Sequence, residues 1–294
     1  MRIQHRDTSR LSALSMAASA KQCKRAVAET GCARHDARML GLAAMQKALE
    51  RTLDEVGRYV LLAHFRRAKA LRKADGSFVS VADLEAQQAL KAKLSRIAPH
   101  AAFLGEEDQN PKIPDAEMLW CVDPLDGTGN FVAGFPCFAV SAALLRRGRT
   151  VLACVFDPVR KECFSWREGD PPRLNGEPIH AVPAAPEEAI AFVDFKRLGP
   201  AQQAVFLTCG AIRSQRNLGS CALEWAWLAA GRAHLIVHGG QSVWDYAAGA
   251  AIALAAGAAA SDFTGRPLFP LTALKRSVIA AGSAELIAHF RPQL

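Results

Sequence analysis

Apolar residues recur at steps of three and four along Leu42, Met45, Leu49, Leu53, Val56 and Val60, with Lys47, Glu50, Arg51, Glu55 and Arg58 between them. A repeat near 3.6 residues puts the apolar side chains on one face and predicts an amphipathic helix. Lys73-Ala-Asp-Gly-Ser-Phe reads as a turn, and Ser80-Val-Ala-Asp83 has capping-box spacing, so a second helix is expected through about Arg96. The pattern then shortens. Met118 to Val122 is a brief apolar run. Phe138 to Leu145 and Val151 to Phe156 flank Arg146-Arg147-Gly148-Arg149 and predict a hairpin, with Cys163 to Trp166 as a third strand. Asn175-Gly176 marks a further turn.

Residues 183–188 (Pro-Ala-Ala-Pro-Glu-Glu) read as a boundary between two halves. Beyond them come an apolar run (Ala189 to Val193), a helix (about Ala222 to Ala230, stopped by Gly231) and a strand (His234 to Val237). An Ala-rich helix follows Ser242; the stretch Tyr246 to Ser261 is too short and too weakly apolar to span a bilayer, so a buried helix is expected. Helices first, then strands, then alternation predict α/β (α+β) layers with a sheet in each half. The expected division is an extension at 1–38, an α+β half at 39–182 and an α/β half at 183–294.

Composition adds exclusions. Of 294 residues, 50% are hydrophobic and 22% charged, which excludes a mostly disordered chain. The net charge of +8 is concentrated at the start, where residues 1–38 hold eight Lys/Arg against three acids. That segment is an organellar leader, a disordered tail, or the product of a start placed before Met39, with the last two favoured. The rest of the chain is only weakly basic, and aromatics (7%) do not interleave with the basic residues, so nucleic acid is not an expected partner. Eight cysteines show neither C-x-x-C nor zinc-finger spacing, which fits a reducing, cytoplasmic location without a secretory signal.

The candidate chemistry lies in carboxylates. Trp120-Cys-Val-Asp123-Pro-Leu-Asp126-Gly-Thr128 runs an apolar strand directly into two acids. Two carboxylates about 5 Å apart repel by about 3–4 kcal/mol at an effective dielectric of about 20, a penalty that a bound divalent cation removes. Hard oxygen ligands with a backbone carbonyl suit Mg2+. A solvated turn bearing two acids is the alternative for this segment alone. Leu104-Gly105-Glu106-Glu107 ends a second apolar approach on acids, and Asp83 and Asp245 each stand at the third helical position of a capping box.

Asp123-Pro-Leu-Asp126-Gly-Thr-Gly-Asn-Phe, Leu104-Gly-Glu106-Glu107 and Trp244-Asp245-Tyr-Ala-Ala-Gly, in this order, resemble the inositol monophosphatase family of Mg2+-dependent, lithium-sensitive sugar phosphatases over roughly residues 40–290. The resemblance implies a layered α-β-α-β-α sandwich, commonly a homodimer, acting on a small phosphorylated substrate away from membranes. It implies that Glu106, Asp123, the carbonyl of Leu125, Asp126 and Asp245 hold two or three Mg2+ ions, with Asp123 bridging. Glu106, Asp83 and Thr128 become the catalytic set, Asp83 and Thr128 positioning and deprotonating the attacking water. Gly127 and Thr128 would face the phosphate, and Lys73 lies in a basic loop that covers the site in some members.

The same resemblance places Gly219, Ser220 and Cys221 along the substrate pocket, and His238 where inositol-cleaving members often carry Glu. The chain departs from the pattern at Ala82, Gly129, His238 and Ala256. Inositol 1-phosphate is the default substrate. Histidinol phosphate and 3′-phosphoadenosine 5′-phosphate are rivals, and a non-catalytic binding protein retaining the fold is the alternative of another class.

Overall fold

The computed structural model describes residues 41–67, 70–72, 78–208 and 210–294. The expected extension at 1–38, Lys73 and Cys209 lie outside them. Residues Met45–Leu294 form one unit. Its first helix, α1, runs over residues 45–64 and buries Leu49, Leu53 and Val56 of the expected stripe; the π-helical turn at Gly57–Leu61 then buries Leu61 in place of the expected Val60, which is only partly buried, as is Met45. Strands β1 (Ala70–Arg72) and β2 (Phe78–Ser80) pair antiparallel, and residues 73–77 of the expected turn lie outside the described residues. Helix α2 (Val81–Ile97) starts at Ser80, and Asp83 closes the capping box.

A seven-stranded sheet follows: β3 (Ala102–Gly105), β4 (Met118–Asp126), β5 (Ala139–Arg146), β6 (Arg149–Asp157), β7 (Glu162–Arg167), β8 (Arg173–Leu174) and β9 (Glu177–Pro178), in sequence order across the sheet. The expected hairpin is β5–β6, and β7 is its third strand. Both faces of β5 and β6 are buried, which explains their unbroken apolar runs. On one face Leu119, Cys121, Ala143, Leu145, Ala153 and Val155 pack toward the molecule's middle layer. On the other, Gln46 and Glu50 of α1 hydrogen-bond Ser165 of β7. A short helix, α3 (Thr128–Ala133), follows β4 directly.

The middle layer is α5 (Cys221–Ala229) and α6 (Val243–Ala255), buried almost all round and rich in alanine, so that a sheet packs against each side. The second sheet has the order β11 (Ser214–Arg216), β10 (Ile190–Asp194), β12 (Leu235–Ser242), β14 (Lys275–Ala281), β13 (Ala259–Ser261). Its alternation is regular. Phe192, Ile236, Val278 and Ala280 join the middle core, while Val193, Leu235, Val237 and Ile279 face outward onto Phe206 of α4 (Pro200–Leu207) and Leu286, Ile287 and Phe290 of α7 (Ala284–Phe290). The layers are thus α-β-α-β-α.

Several elements differ from expectation. Strands β4 and β12 run on through polar residues, because each carries a bulge that keeps the pairing going. The helices α3, α4 and α7 and the strands β11, β13 and β14 were not expected. They are nine residues or fewer, too short to show a period before they are packed.

Candidate active site

The local geometry of Asp123-Pro-Leu-Asp126 follows from one extra residue. Asp123 pairs with Ser141 and Asp126 with Ala139, so three steps along β4 match two along β5. Residues three apart on a regular strand face opposite sides; the bulge returns both acids to the same side. Pro124, lacking an N–H, falls where the ladder is interrupted. That side is the middle layer. Gly127 then turns the chain at φ +92°, where an added Cβ would also lie 3.1 Å from the carbonyl oxygens of Cys137 and Gly219.

The other acids are delivered by different devices. Strands β3 and β4 are parallel, with Gly105 opposite Val122, so Glu106 leaves β3 beside Asp123 and their carboxyl groups hydrogen-bond. The loop is fastened by Gly105 N–H to Asp108 (2.8 Å) and Glu107 N–H to Gln87 of α2 (3.0 Å). Asp245 caps α6, its Oδ2 accepting from the Ser242 N–H at 2.8 Å. Oxygens of Asp123, Asp126 and Asp245 all lie within 4.8 Å of one another. Asp126 accepts hydrogen bonds at the start of α5 from the Ser220 hydroxyl, the Cys221 N–H (3.1 Å) and the Ala222 N–H (2.9 Å).

Asp83 does two things at once. Its Oδ2 accepts from the Ser80 N–H and hydroxyl, both at 2.7 Å, which closes the cap. Its Oδ1 accepts from Thr128 Oγ1 at 2.8 Å, and the same hydroxyl lies 3.0 Å from the Leu125 carbonyl. One hydroxyl proton serves one of those acceptors at a time.

Electrostatics match the crowding. Burial, then the charges of Glu106, Asp126 and Asp245, hold the Asp123 carboxyl well above the usual range. Burial, then Asp126 and Glu106, do the same to Asp245. Burial pushes Asp126 up to about 6 against the hydrogen bonds at α5. An all-oxygen set that repels itself this strongly is what a hard divalent cation relieves, and the residues fit Mg2+ on that ground. Four thiols are unsuited to attack: burial raises Cys121, Cys137, Cys154 and Cys221 above the ordinary thiol value, Cys137 to about 11.

These groups line one cleft of about 330 Å³, which also takes in Gly127, Thr128, Gly219, Ser220, Cys221 and His238. Asp83 stands behind it, in contact through Thr128. His238 is 6% exposed, and both ring nitrogens already have protein partners. The cleft further includes Asp194, Arg197, Asn217, Glu224 and Lys275, none of which was singled out from the sequence. Asp194 carried a readable signal, an acid at the end of the apolar run Ala189 to Val193. The others lie in segments without one. No helix among the described residues is long and apolar enough to cross a membrane.

Comparison with known proteins gives a consistent result. The sequence profile of the inositol monophosphatase family matches residues 42–293. The chain is 36% identical over 214 residues to the Nus factor SuhB of Vibrio cholerae, covering 69% of this chain and 79% of that one. It is 34% identical over 199 residues to the inositol-1-monophosphatase of Mesorhizobium japonicum, covering 66% and 75%. The crystal structure of the extragenic suppressor protein suhB from Bartonella henselae superposes with a TM-score of 0.76 at 26% identity, covering 85% of this chain and 98% of that one.

Proposed function

The chain belongs to the inositol monophosphatase family, and we propose that it hydrolyses a small phosphate monoester with Mg2+, a polyol or sugar phosphate such as inositol 1-phosphate being its substrate. The observation that carries this reading is the convergence of Asp123, Asp126 and Asp245 within 4.8 Å beside the Asp83–Thr128 pair. Glu106, Asp123, the Leu125 carbonyl, Asp126 and Asp245 would hold the metal. Bound Mg2+ supplies charge neutralisation at the phosphoryl oxygens and acidifies water.

The protein's own groups do the rest. Thr128 Oγ1, donating to Asp83 Oδ1, keeps a lone pair for the attacking water. The proton leaves the water for Thr128 Oγ1 as the Thr128 proton moves to Asp83 Oδ1. Ser80 and the α2 cap hold Asp83 for this task. Gly127 and Thr128 offer backbone N–H groups to the phosphate, and the bulge at Pro124 keeps Asp123 and Asp126 facing it. No side chain takes the phosphoryl group.

Phosphate release from inositol 1-phosphate, histidinol phosphate, fructose 1,6-bisphosphate and 3′-phosphoadenosine 5′-phosphate tests the reading. The arms are Mg2+, EDTA, and Mg2+ with lithium. Release from inositol 1-phosphate that needs Mg2+ and falls with lithium is expected; no release from any of the four by folded protein would overturn it. The relatives named Nus factor SuhB favour a second reading, a role besides catalysis, and leave the expectation against nucleic acid without support. Binding of RNA or DNA by the full chain that weakens steeply with salt would carry that reading.

A further inference from the structure

The carboxyl end of β10 and the middle of β12, at its bulge, hold a polar pair with no part in the water activation described above. The two strands are parallel and place Asp194 directly opposite His238, both facing the middle layer. Ligands of open α/β sheets bind beyond the carboxyl ends of strands. The Gly240 N–H donates to His238 Nδ1 at 3.0 Å, so the ring's proton sits on Nε2, which lies 3.2 Å from Asp194 Oδ2. The Lys196 N–H donates to Asp194 Oδ1 at 3.0 Å.

The pair is built into the fold. Between His238 and Gln241 the pairing of β12 with β14 shifts register by one residue. The bulge puts Gly239 where an added Cβ would lie 1.7 Å from the Arg197 carbonyl oxygen, so only glycine lets the turn that follows Asp194 close onto β12. Asp194 is half-buried and lines the cleft, yet it stands outside the triad of acids within 4.8 Å. Burial opposes its charge. The His238 hydrogen bond, the Lys196 amide and the charge of Arg197 outweigh that and hold the carboxyl below the usual range. A carboxylate accepts about four hydrogen bonds, of which the protein supplies two here.

We propose that Asp194 reads the non-reacting hydroxyls of the substrate, accepting hydrogen bonds from a polyol whose phosphate lies at Asp123 and Asp126, and that His238 is its positioning residue. This inference rests on the phosphatase reading above. It assigns the cleft to hydroxyl-rich phosphate esters, and it moves His238 from direct substrate contact to the support of a neighbouring carboxylate.

The test uses the full chain with saturating Mg2+, inositol 1-phosphate as the polyol ester and phenyl phosphate as an ester without hydroxyls. Asp194→Asn is expected to raise KM for inositol 1-phosphate about 10- to 100-fold while changing kcat by less than about threefold. Its loss of kcat/KM on inositol 1-phosphate should exceed its loss on phenyl phosphate by at least about tenfold. His238→Gln, whose amide can still donate to Asp194, should stay close to the unaltered enzyme, and His238→Phe should reproduce Asp194→Asn. Equal losses on both substrates, or no change in KM, would overturn the assignment. Should Asp194→Asn fail to fold, the unaltered enzyme's preference for inositol 1-phosphate over cyclohexyl phosphate decides: about tenfold or more supports it, and none overturns it. Phenyl phosphate turnover by the unaltered enzyme checks the phosphatase reading separately.

Discussion

Glu224 offers a measurement of how this cleft treats buried charge. The side chain belongs to α5, is 5% exposed, and has the Leu218 N–H at 2.9 Å from its Oε1. Burial raises its pKa from 4.5 to about 8, opposed by the Leu218 amide and assisted by the charges of Asp126 and Asp194. The unfolded chain releases this proton near the ordinary value, while the folded chain keeps it to about 8. Between those values the native state holds a proton that the unfolded state has lost, so stability falls as pH rises from about 4.5 to about 8 and is level above that. At about 1.4 kcal/mol per pH unit, the loss is about 3 kcal/mol at pH 7 and about 5 kcal/mol above pH 8. Glu224→Gln keeps an acceptor for Leu218 and does not titrate. Its stability advantage is expected to be near zero at pH 4.5 and to grow to about 3 kcal/mol at pH 7. Urea unfolding of both proteins in EDTA at pH 5, 7 and 8.5, with matching m-values, reads the difference. An advantage that is constant with pH, or that widens toward acid, would refute the reasoning.

The acidic cluster yields four more expectations. In EDTA, Asp123→Asn should stabilise the fold by up to about 3 kcal/mol, because it removes repulsion between carboxylates packed within 4.8 Å, while abolishing phosphate release; denaturant unfolding and an activity assay check both halves. Asp126→Asn should also abolish activity but fall about 1–3 kcal/mol behind it in stability, since Ser220, Cys221 and Ala222 then lose a charged acceptor. Thr128→Val should lower kcat by about 100-fold or more with little change in KM, and a rise in KM alone would count against a role with the water. Mg2+ at 100 times its Kd should add about 2.7 kcal/mol to the stability of the unaltered chain in thermal melts, and much less to that of Asp123→Asn.

The parts of the molecule that can be read along the chain are those whose cause is local. The helices α1, α2, α5 and α6 announce themselves through a 3.6-residue stripe, a capping box or an alanine-rich run, and β5 to β7 through apolar stretches separated by turns. Glu106, Asp123, Asp126 and Asp245 stood out as candidates for the same reason, because each acid stands at the end of an apolar run or at a helix start, while grouping them as one ligand set came from the family resemblance. The elements β13, β14 and α7 were not legible, since a few apolar residues acquire a direction only when a neighbouring strand or sheet is present.

What the residues do to one another depends on pairing across the fold. Only the register of β4 on β5 shows that Asp123 and Asp126 face the same side despite a spacing of three. Only the parallel pairing of β3 with β4 brings Glu106 to Asp123, and only that of β10 with β12 sets Asp194 against His238. Hydrophobic period and capping act over a few residues and are written in neighbouring positions. Register joins segments dozens of residues apart, and a shift of one residue reverses which face a side chain occupies, so the partners of each acid are settled by the packed layers.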